Sequence, residues 1–243
     1  MTRPNRLGAL TLLACIAVVA TSCTSATSTE PTAAEPVATA AAVEPGPTHL
    51  APKGELVRLA YNNEAWITLG YRTANNSLGQ NWMLLEVGMT VMSAASNQAI
   101  GRDAVSLTTP GGETIPLASQ ESFTKGNLRS LDARANTVRD SINYFPAGHR
   151  GGCRIGFFTD VSKSMRGMAW DTVTLNHRSS CFGRLYFEIP DGIQYGQHFL
   201  NVQFREGLIR VPFKIMTKDE LKDAVREFDQ MVKDSKAQAE GKK

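Results

Sequence analysis

Short runs in which apolar and polar residues alternate recur from Glu55 onward, and this period of two is the strongest restriction on the fold. Successive side chains of a β-strand point to opposite faces, so an alternating run indicates a strand with one buried face. In the run WMLLEVGMTV the apolar alternate positions are Met83, Leu85, Val87, Met89 and Val91. We therefore predict a strand here that buries this face.

Further runs of the same kind follow at close intervals and are separated by turn residues. Pro110-Gly111-Gly112 divides AVSLTTPGGETIPL into two short strands, which is a hairpin signal. Asp191-Gly192 and Glu206-Gly207 separate the runs LYFEIP, HFLNVQF and LIRVPFKI. Many short strands with regular turns favour an antiparallel β-sandwich, so the predicted fold class is all-β.

One internal stretch departs from the period of two. Within TKGNLRSLDARANTVRDSINYF, apolar residues recur at helical spacing at Leu128, Leu131, Ala135, Val138 and Ile142. The spacing predicts one inserted amphipathic helix, or two short turns, that covers an end of the sandwich.

The C-terminal stretch, residues 217–243, predicts a second amphipathic helix. Thr217 and Glu220 form a capping box before it. An apolar stripe follows with steps of four, three and four, and its members are Leu221, Val225, Phe228 and Val232. The stripe either packs back on the sandwich or binds a partner, because about two heptads are too short for a stable coiled coil alone.

The N-terminus predicts export. Arg3 and Arg6 precede a short apolar run, residues 7–20, which is typical of a secretory signal peptide. The residues before Cys23 resemble a bacterial lipobox, in which the cysteine is acylated, for instance with palmitate, and becomes the new N-terminus. Cys15 is a poorer candidate for this role, and an ordinary cleaved signal is the alternative.

The predicted organisation has four parts: a signal peptide (1–22), a disordered tether rich in Ala, Thr, Pro and Glu (23–52), a sandwich domain (53–216) and the C-terminal helix with its charged tail (217–243). The tether has too little apolar surface to offset its ordering entropy. The net charge of the whole chain is +3, and loss of Arg3 and Arg6 leaves +1. This balance predicts no nucleic-acid partner.

The frame His-Arg-x-x-Cys occurs twice, at His149–Cys153 and His177–Cys181, and admits two interpretations. Two histidines and two cysteines could complete a zinc site. In an exported protein, Cys153 and Cys181 would instead form a disulfide. If the two cysteines pair in an antiparallel ladder, Leu185 rather than His177 lies opposite His149. The two histidines are then not close to each other, so this geometry favours the disulfide over the metal site or free thiols.

No catalytic residue and no cofactor is predicted. Ser122-x-x-Lys125 and Ser141-x-Asn143 match two penicillin-recognising motifs, but no K-T-G follows them. Arg150 and Arg178 could form an anion site, although solvated surface arginines are the simpler interpretation. Three tryptophans are expected in the core rather than on a ligand platform, namely Trp66, Trp82 and Trp170.

The order of these features resembles the DUF4352-type immunoglobulin-like domain of bacterial lipoproteins over residues 55–216. The positions that carry the resemblance are Val105, Leu107, Gly112, Ile115, Gly183, Leu185, Phe187, Glu188, Ile189 and Pro190. The resemblance implies an immunoglobulin-like β-sandwich that serves as a binding, adhesion or scaffold module, and it implies no catalytic residues.

These observations together predict a non-enzymatic binding or scaffolding module that a lipid holds to a membrane of the bacterial cell envelope, facing the periplasm or the exterior. Its partner would be an envelope protein or ligand of unknown identity. The alternative is a small-ligand or zinc-binding lipoprotein that uses His149, Cys153, His177 and Cys181. An envelope hydrolase is a distant third hypothesis.

Overall fold

The computed structural model describes residues 46–146, 152–159 and 168–240, and it describes side chains up to residue 237. Its backbone is mostly β-sheet. The strands in chain order are β1 (His49–Gly54), β2 (Val57–Tyr61), β3 (Ala65–Gly70), β4 (Trp82–Val91), β5 (Gln98–Gly101), β6 (Val105–Thr108), β7 (Thr114–Pro116), β8 (Gly152–Ile155), β9 (Thr172–Leu175), β10 (Ser180–Glu188), β11 (Gly196–Gln203) and β12 (Leu208–Ile215). The helices are α1 (Arg72–Asn75), α2 (Gln120–Lys125), α3 (Arg129–Thr137) and α4 (Lys218–Glu240).

The strands of the described residues form two larger sheets and one separate pair. The first sheet has the order β1-β2-β3-β4-β10-β8, the second has the order β12-β11-β6-β7, and β5 pairs with β9. The strand pairings of the described residues are antiparallel except that of β8 with β10, which is parallel. The predicted all-antiparallel arrangement is therefore wrong at this edge of the first sheet.

The hydrophobic core lies between the inner faces of these sheets. Alternate residues of β4 are buried as predicted, and β10 contributes Leu185 and Phe187, both fully buried. Strand β12 packs against β2, and the rings of Tyr71 and Phe213 lie 5.2 Å apart. The predicted hairpin between β6 and β7 is confirmed, and Gly112 has the positive φ of 85° that its turn requires.

Strand β4 is buried on its outer face as well, which the alternating pattern did not predict. Leu84, Glu86 and Thr90 lie on that face, and each is at most 5% exposed. Residues 120–146 form an insertion that lies against the part of this face around Glu86 and Gly88, whereas the Thr90 hydroxyl hydrogen-bonds to the turn at Asn176 and Ser179. The insertion consists of α2, α3 and an extended part, residues 138–146.

The two-turn alternative for the insertion is closer to the structure than a single helix. Helix α2 begins at Gln120, where the side chain of Ser119 accepts a hydrogen bond from the backbone N–H of Ser122. Helix α3 buries Leu131 and Ala135 as predicted. The helical periodicity fails beyond Thr137, because residues 138–146 are extended and Val138 is 54% exposed.

Small residues in the first sheet let the extended part lie close to it. A Cβ atom at Gly88 would lie 2.8 Å from the ring of Phe145, and one at Gly70 would lie 3.0 Å from the side chain of Ile142. Arg72 of α1 also donates from its Nε and one terminal nitrogen to the carboxylate of Asp140, at 3.0 and 2.7 Å. Close packing and this bidentate ion pair hold residues 138–146 against the sheet.

The N-terminal boundary of the predicted domain differs from the structure, and the C-terminal boundary agrees with it. Strand β1 begins at His49, within the segment predicted as tether, so ordered structure starts before residue 53. The capping box is confirmed, because Thr217 N–H donates to Glu220 and Glu220 N–H donates to the Thr217 hydroxyl. Lys214 also pairs with Glu220, and together with Thr217 it lowers the pKa of Glu220 to about 2.

Candidate functional site

The structure joins Cys153 and Cys181 in a disulfide across β8 and β10, which is the pairing predicted from the sequence. The two residues are direct register partners, with Cα atoms 4.2 Å apart. Because the strands run parallel, the antiparallel register that argued against a shared His/Cys site is incorrect. The metal alternative fails for a different reason: with the disulfide intact, neither sulfur is available as a thiolate ligand.

The histidines of the repeated frame do not form a metal site within the described residues. His149 and Arg150 lie outside those residues. His177 lies in the turn between β9 and β10, and Arg178 beside it is exposed. Across the described residues, no group of three or more His, Cys, Asp or Glu is arranged to hold a metal ion.

His198 is a buried histidine of β11. It is 1% exposed, its ring stacks on Phe213 at 5.3 Å, and its Nδ1 lies 3.1 Å from the carbonyl oxygen of Gly196. Burial lowers the pKa of His198 below its usual value. The neutral imidazole is therefore part of the packed core, with one ring nitrogen engaged by the backbone.

We expect His198 to make folding less favourable as the pH falls below about 6.5, the pKa of an unperturbed histidine. In this pH range the histidine of the unfolded chain binds a proton, whereas burial disfavours protonation of His198 in the native state. The free energy of unfolding therefore decreases as the pH falls. Urea unfolding of the wild type and of His198→Gln between about pH 7.5 and pH 5.5 tests this. The variant should lose part of the pH dependence; identical slopes would contradict the assignment.

The predicted stripe of α4 leaves the core after its first turns. Leu221 and Ala224 pack against the core, whereas Val225, Phe228 and Val232 are only partly buried. Met231, beside the stripe, is 51% exposed. The beginning of the helix therefore packs on the domain, as the first alternative predicted, and its later part keeps apolar surface accessible. Binding of a partner there stays a prediction.

The residues of the apparent catalytic motifs have ordinary structural roles. Lys125 pairs with Glu121 on the surface of α2, and Ser141 is exposed. Trp66 stacks on Tyr61 and donates to the carbonyl of Tyr144. Trp82 packs beside Gly126, and Trp170, expected in the core, is 47% exposed. These side chains have different neighbours and form no common platform.

A charged cluster that the sequence did not predict lies between β4, β10 and α3. Its centre is Glu86, which accepts a hydrogen bond from Arg139 at 2.9 Å and lies 3.5 Å from Arg184. Arg184 donates to Asp132 at 3.0 Å and to Asn136 at 2.7 Å. The cluster satisfies a buried carboxylate with two guanidinium groups and ties the insertion to the sheet.

Tyr186 extends this cluster along β10. Its hydroxyl donates to Asp132 at 2.5 Å, and its side chain is buried. Burial, followed by the charge of Asp132, raises the pKa of Tyr186 well above its usual value. The phenol therefore remains protonated at neutral pH and acts as a hydrogen-bond donor.

A cavity of about 320 Å³ opens beside the cluster, and we call it the arginine cavity. Its polar lining is Asp132, Asn136, Arg139, Arg154 and Arg184. Its apolar lining is Phe123, Ile155, Phe158, Phe182 and Tyr186. The residues come from α2, α3, β8, β10 and the segments that follow α3 and β8, so only the folded chain assembles them.

One sequence signal could have indicated this region. Glu86 is the one charged residue of β4, and an acidic residue at a buried strand position requires a cationic partner. The sequence does not identify the partners, because Arg139 and Arg184 lie 53 and 98 residues away along the chain.

Comparisons with known proteins provide no family assignment: no protein-family model, no curated protein and no solved structure matches the chain. None of the helices in the described part of the chain combines the length and the apolar character that crossing a membrane requires.

Proposed function

We propose that the chain is a non-catalytic binding module of the bacterial cell envelope, held to a membrane through a lipid on Cys23. In this proposal the two larger sheets form an immunoglobulin-like sandwich, and α4 presents its stripe to an amphipathic helix of another envelope protein. The partly exposed stripe beyond Ala224 is the observation that carries the binding proposal.

Export is supported from two directions. In the sequence, the N-terminus has the pattern of a secretory signal peptide, and the residues before Cys23 resemble a lipobox. The disulfide between Cys153 and Cys181 agrees with an oxidising compartment, where such bonds persist.

Binding through α4 is supported by the geometry of the stripe. Val225, Phe228 and Val232 follow Leu221 at the four-three-four spacing of a helix seam, and residues of this kind stabilise helix pairs. The opposite face bears Gln230, an exposed residue whose side-chain amide donates a hydrogen bond to Asp234 at 2.8 Å. One face of α4 is thus suited to a partner and the other to water.

The proposal predicts a face-specific cross-link. A photoreactive benzoylphenylalanine in place of Phe228 should form a covalent adduct with another membrane-associated polypeptide, because the partner helix lies against this face. The same group in place of Gln230 is the matched control and should give no adduct. Mass spectrometry of the adduct from isolated membranes identifies the partner, and Cys23→Ala should shift the protein to the soluble fraction.

Three results would contradict the proposal. An adduct confined to the chain itself would show that α4 docks on its own domain, and an adduct of two copies would show self-association. Equal adducts from positions 228 and 230 would show non-specific contact. Introducing Val225→Asp into the Phe228 cross-linking protein should abolish a specific adduct, because the charge interrupts the stripe.

A further inference from the structure

We propose that the outer face of the second sheet binds a glycan that carries carboxylate groups. The contact surface consists of six outward-facing residues on three neighbouring strands, and we call it the Asn201 patch: Ser106 and Thr108 of β6, Phe199 and Asn201 of β11, and Arg210 and Pro212 of β12. The patch shares no residue with the stripe of α4, so binding here does not depend on the partner proposed above.

The patch lies on a sheet face that the described chain does not cover. The inner face of the second sheet belongs to the core, where Leu107 and Leu200 are fully buried. The outward-facing positions of its four strands are exposed or half-buried, and Asn201 is the exception. Asn201 has Ser106 and Arg210 as its two register partners, and neighbouring strands are about 4.8 Å apart. The patch therefore spans about 10 Å across the strands, which suits a short stretch of a chain molecule.

Asn201 has an unused hydrogen-bond acceptor at the centre of the patch. Its side chain is 7% exposed, and its Nδ2 donates to the hydroxyl of Ser106 at 3.3 Å and to that of Thr108 at 2.9 Å. Its Oδ1 is buried and accepts no hydrogen bond from the described residues. A buried acceptor without a donor is destabilising, so a ligand that supplies an O–H or N–H group there gains affinity.

The hydroxyl groups of Ser106 and Thr108 add two donors to this acceptor. Each hydroxyl accepts from Asn201 and donates to no described residue, so its own hydrogen is available to a ligand. The patch thus presents an amide acceptor next to two hydroxyl donors. Sugars match this combination, because each of their adjacent hydroxyl groups both donates and accepts.

The patch also offers apolar surface of limited extent. Phe199 and Pro212 are register partners, and both are half-buried. Rings of this kind pack against the C–H face of a sugar. Among the described outward-facing positions, Leu208 is the one exposed large aliphatic residue, whereas the centre of a protein interface is mostly apolar. The composition of the face therefore favours a glycan over a protein.

Arg210 is held only loosely in the patch. It is exposed, and its guanidinium lies 4.4 Å from the ring centre of Phe199. It makes no ion pair and donates no hydrogen bond to the residues that the structure describes. Its side chain can therefore turn toward a ligand and make room above Asn201.

The charge of this face points to a carboxylate on the ligand. No described outward-facing position of the four strands is acidic, since Glu113 and Glu206 lie in the turns between strands. Lys214, the other cation of the face, is paired with Glu220. Arg210 thus remains as one uncompensated positive charge, and a guanidinium binds a carboxylate through two parallel hydrogen bonds.

An array of defined oligosaccharides, probed with the labelled full-length protein, tests the proposal. Uronic-acid oligosaccharides are presented both as free acids and as methyl esters, which have the same sugars without the charge. The protein should bind free acids of this set, and calorimetry should show that the matching esters bind at least about tenfold more weakly.

Two variants assign the binding to the patch. Thr108→Val keeps the β-branched shape but removes a donor, so it should weaken binding of the acid by about three- to tenfold. Arg210→Gln should bring the acid and its ester to about equal affinity, because it removes the group that distinguishes them. Arg129→Gln is the matched control, since Arg129 is an exposed residue of α3, outside the sheet, and it should change neither affinity.

Four results would overturn the proposal. The first is that no oligosaccharide of the array binds at concentrations up to about 1 mM. The second is equal binding of acids and esters by the wild type, and the third is undiminished discrimination between them in Arg210→Gln. The fourth is an adduct with a polypeptide of isolated membranes when benzoylphenylalanine replaces Arg210, which would assign the face to a protein partner. Urea unfolding of each variant confirms that it is folded, and if one of them is not, the other decides the outcome.

Discussion

Replacing Cys153 and Cys181 together by alanine should lower the free energy of unfolding by about 3.5 kcal/mol. The disulfide closes a loop with a sequence separation of 28 residues, and opening it restores chain entropy to the unfolded state. Strand β8 is a four-residue edge strand, and in the described chain it pairs in the sheet with β10 alone. The covalent bond is therefore a major constraint on its position.

Urea unfolding of the oxidised wild type and of the double variant measures this effect. Reduced wild type is the natural comparison and should resemble the variant, whereas a reductant should leave the variant unchanged. Mass spectrometry without reduction should recover peptides of Cys153 and Cys181 linked to each other. A loss of stability below about 1 kcal/mol would mean that β8 is held chiefly by non-covalent contacts.

Arg184→Met should lower the free energy of unfolding by about 3 kcal/mol, because it removes one of the two guanidinium groups beside the buried Glu86 and the cationic partner of Asp132. The Arg184 side chain is 20% exposed and contacts Asp132, Asn136 and Glu86, whose side chain is 7% exposed. Methionine preserves much of the aliphatic volume, so the loss arises mainly from the uncompensated charge.

A double-mutant cycle identifies the source of this loss. Glu86→Gln removes the buried charge, and combining it with Arg184→Met should cost less than the sum of the single changes. Arg178→Met, at an exposed turn position, is the matched control and should change stability by no more than about 0.5 kcal/mol. Strict additivity of the two buried substitutions would contradict the coupling between Glu86 and Arg184.

Local patterns predicted the local elements. The capping box at Thr217 and the hairpin turn at Gly112 depend on residues within a few positions of each other, and both are confirmed. The pattern of β4 correctly identified one buried face. The helical spacing of the insertion was accurate only through Ala135, because the next residues follow the surface of the sheet instead of continuing the helix.

The sequence by itself determined the strand-rich character of the chain, the positions of several turns and the choice of cysteine partners, since short-range periodicity and residue chemistry suffice for these. Only the tertiary structure decided that β8 runs parallel to β10, that the insertion covers part of the outer face of the first sheet, and that Glu86 contacts Arg139 and Arg184. The physical reason is that strand direction and face coverage depend on contacts between distant residues. Many alternative pairings satisfy the same local pattern, and the packing of the whole chain selects among them.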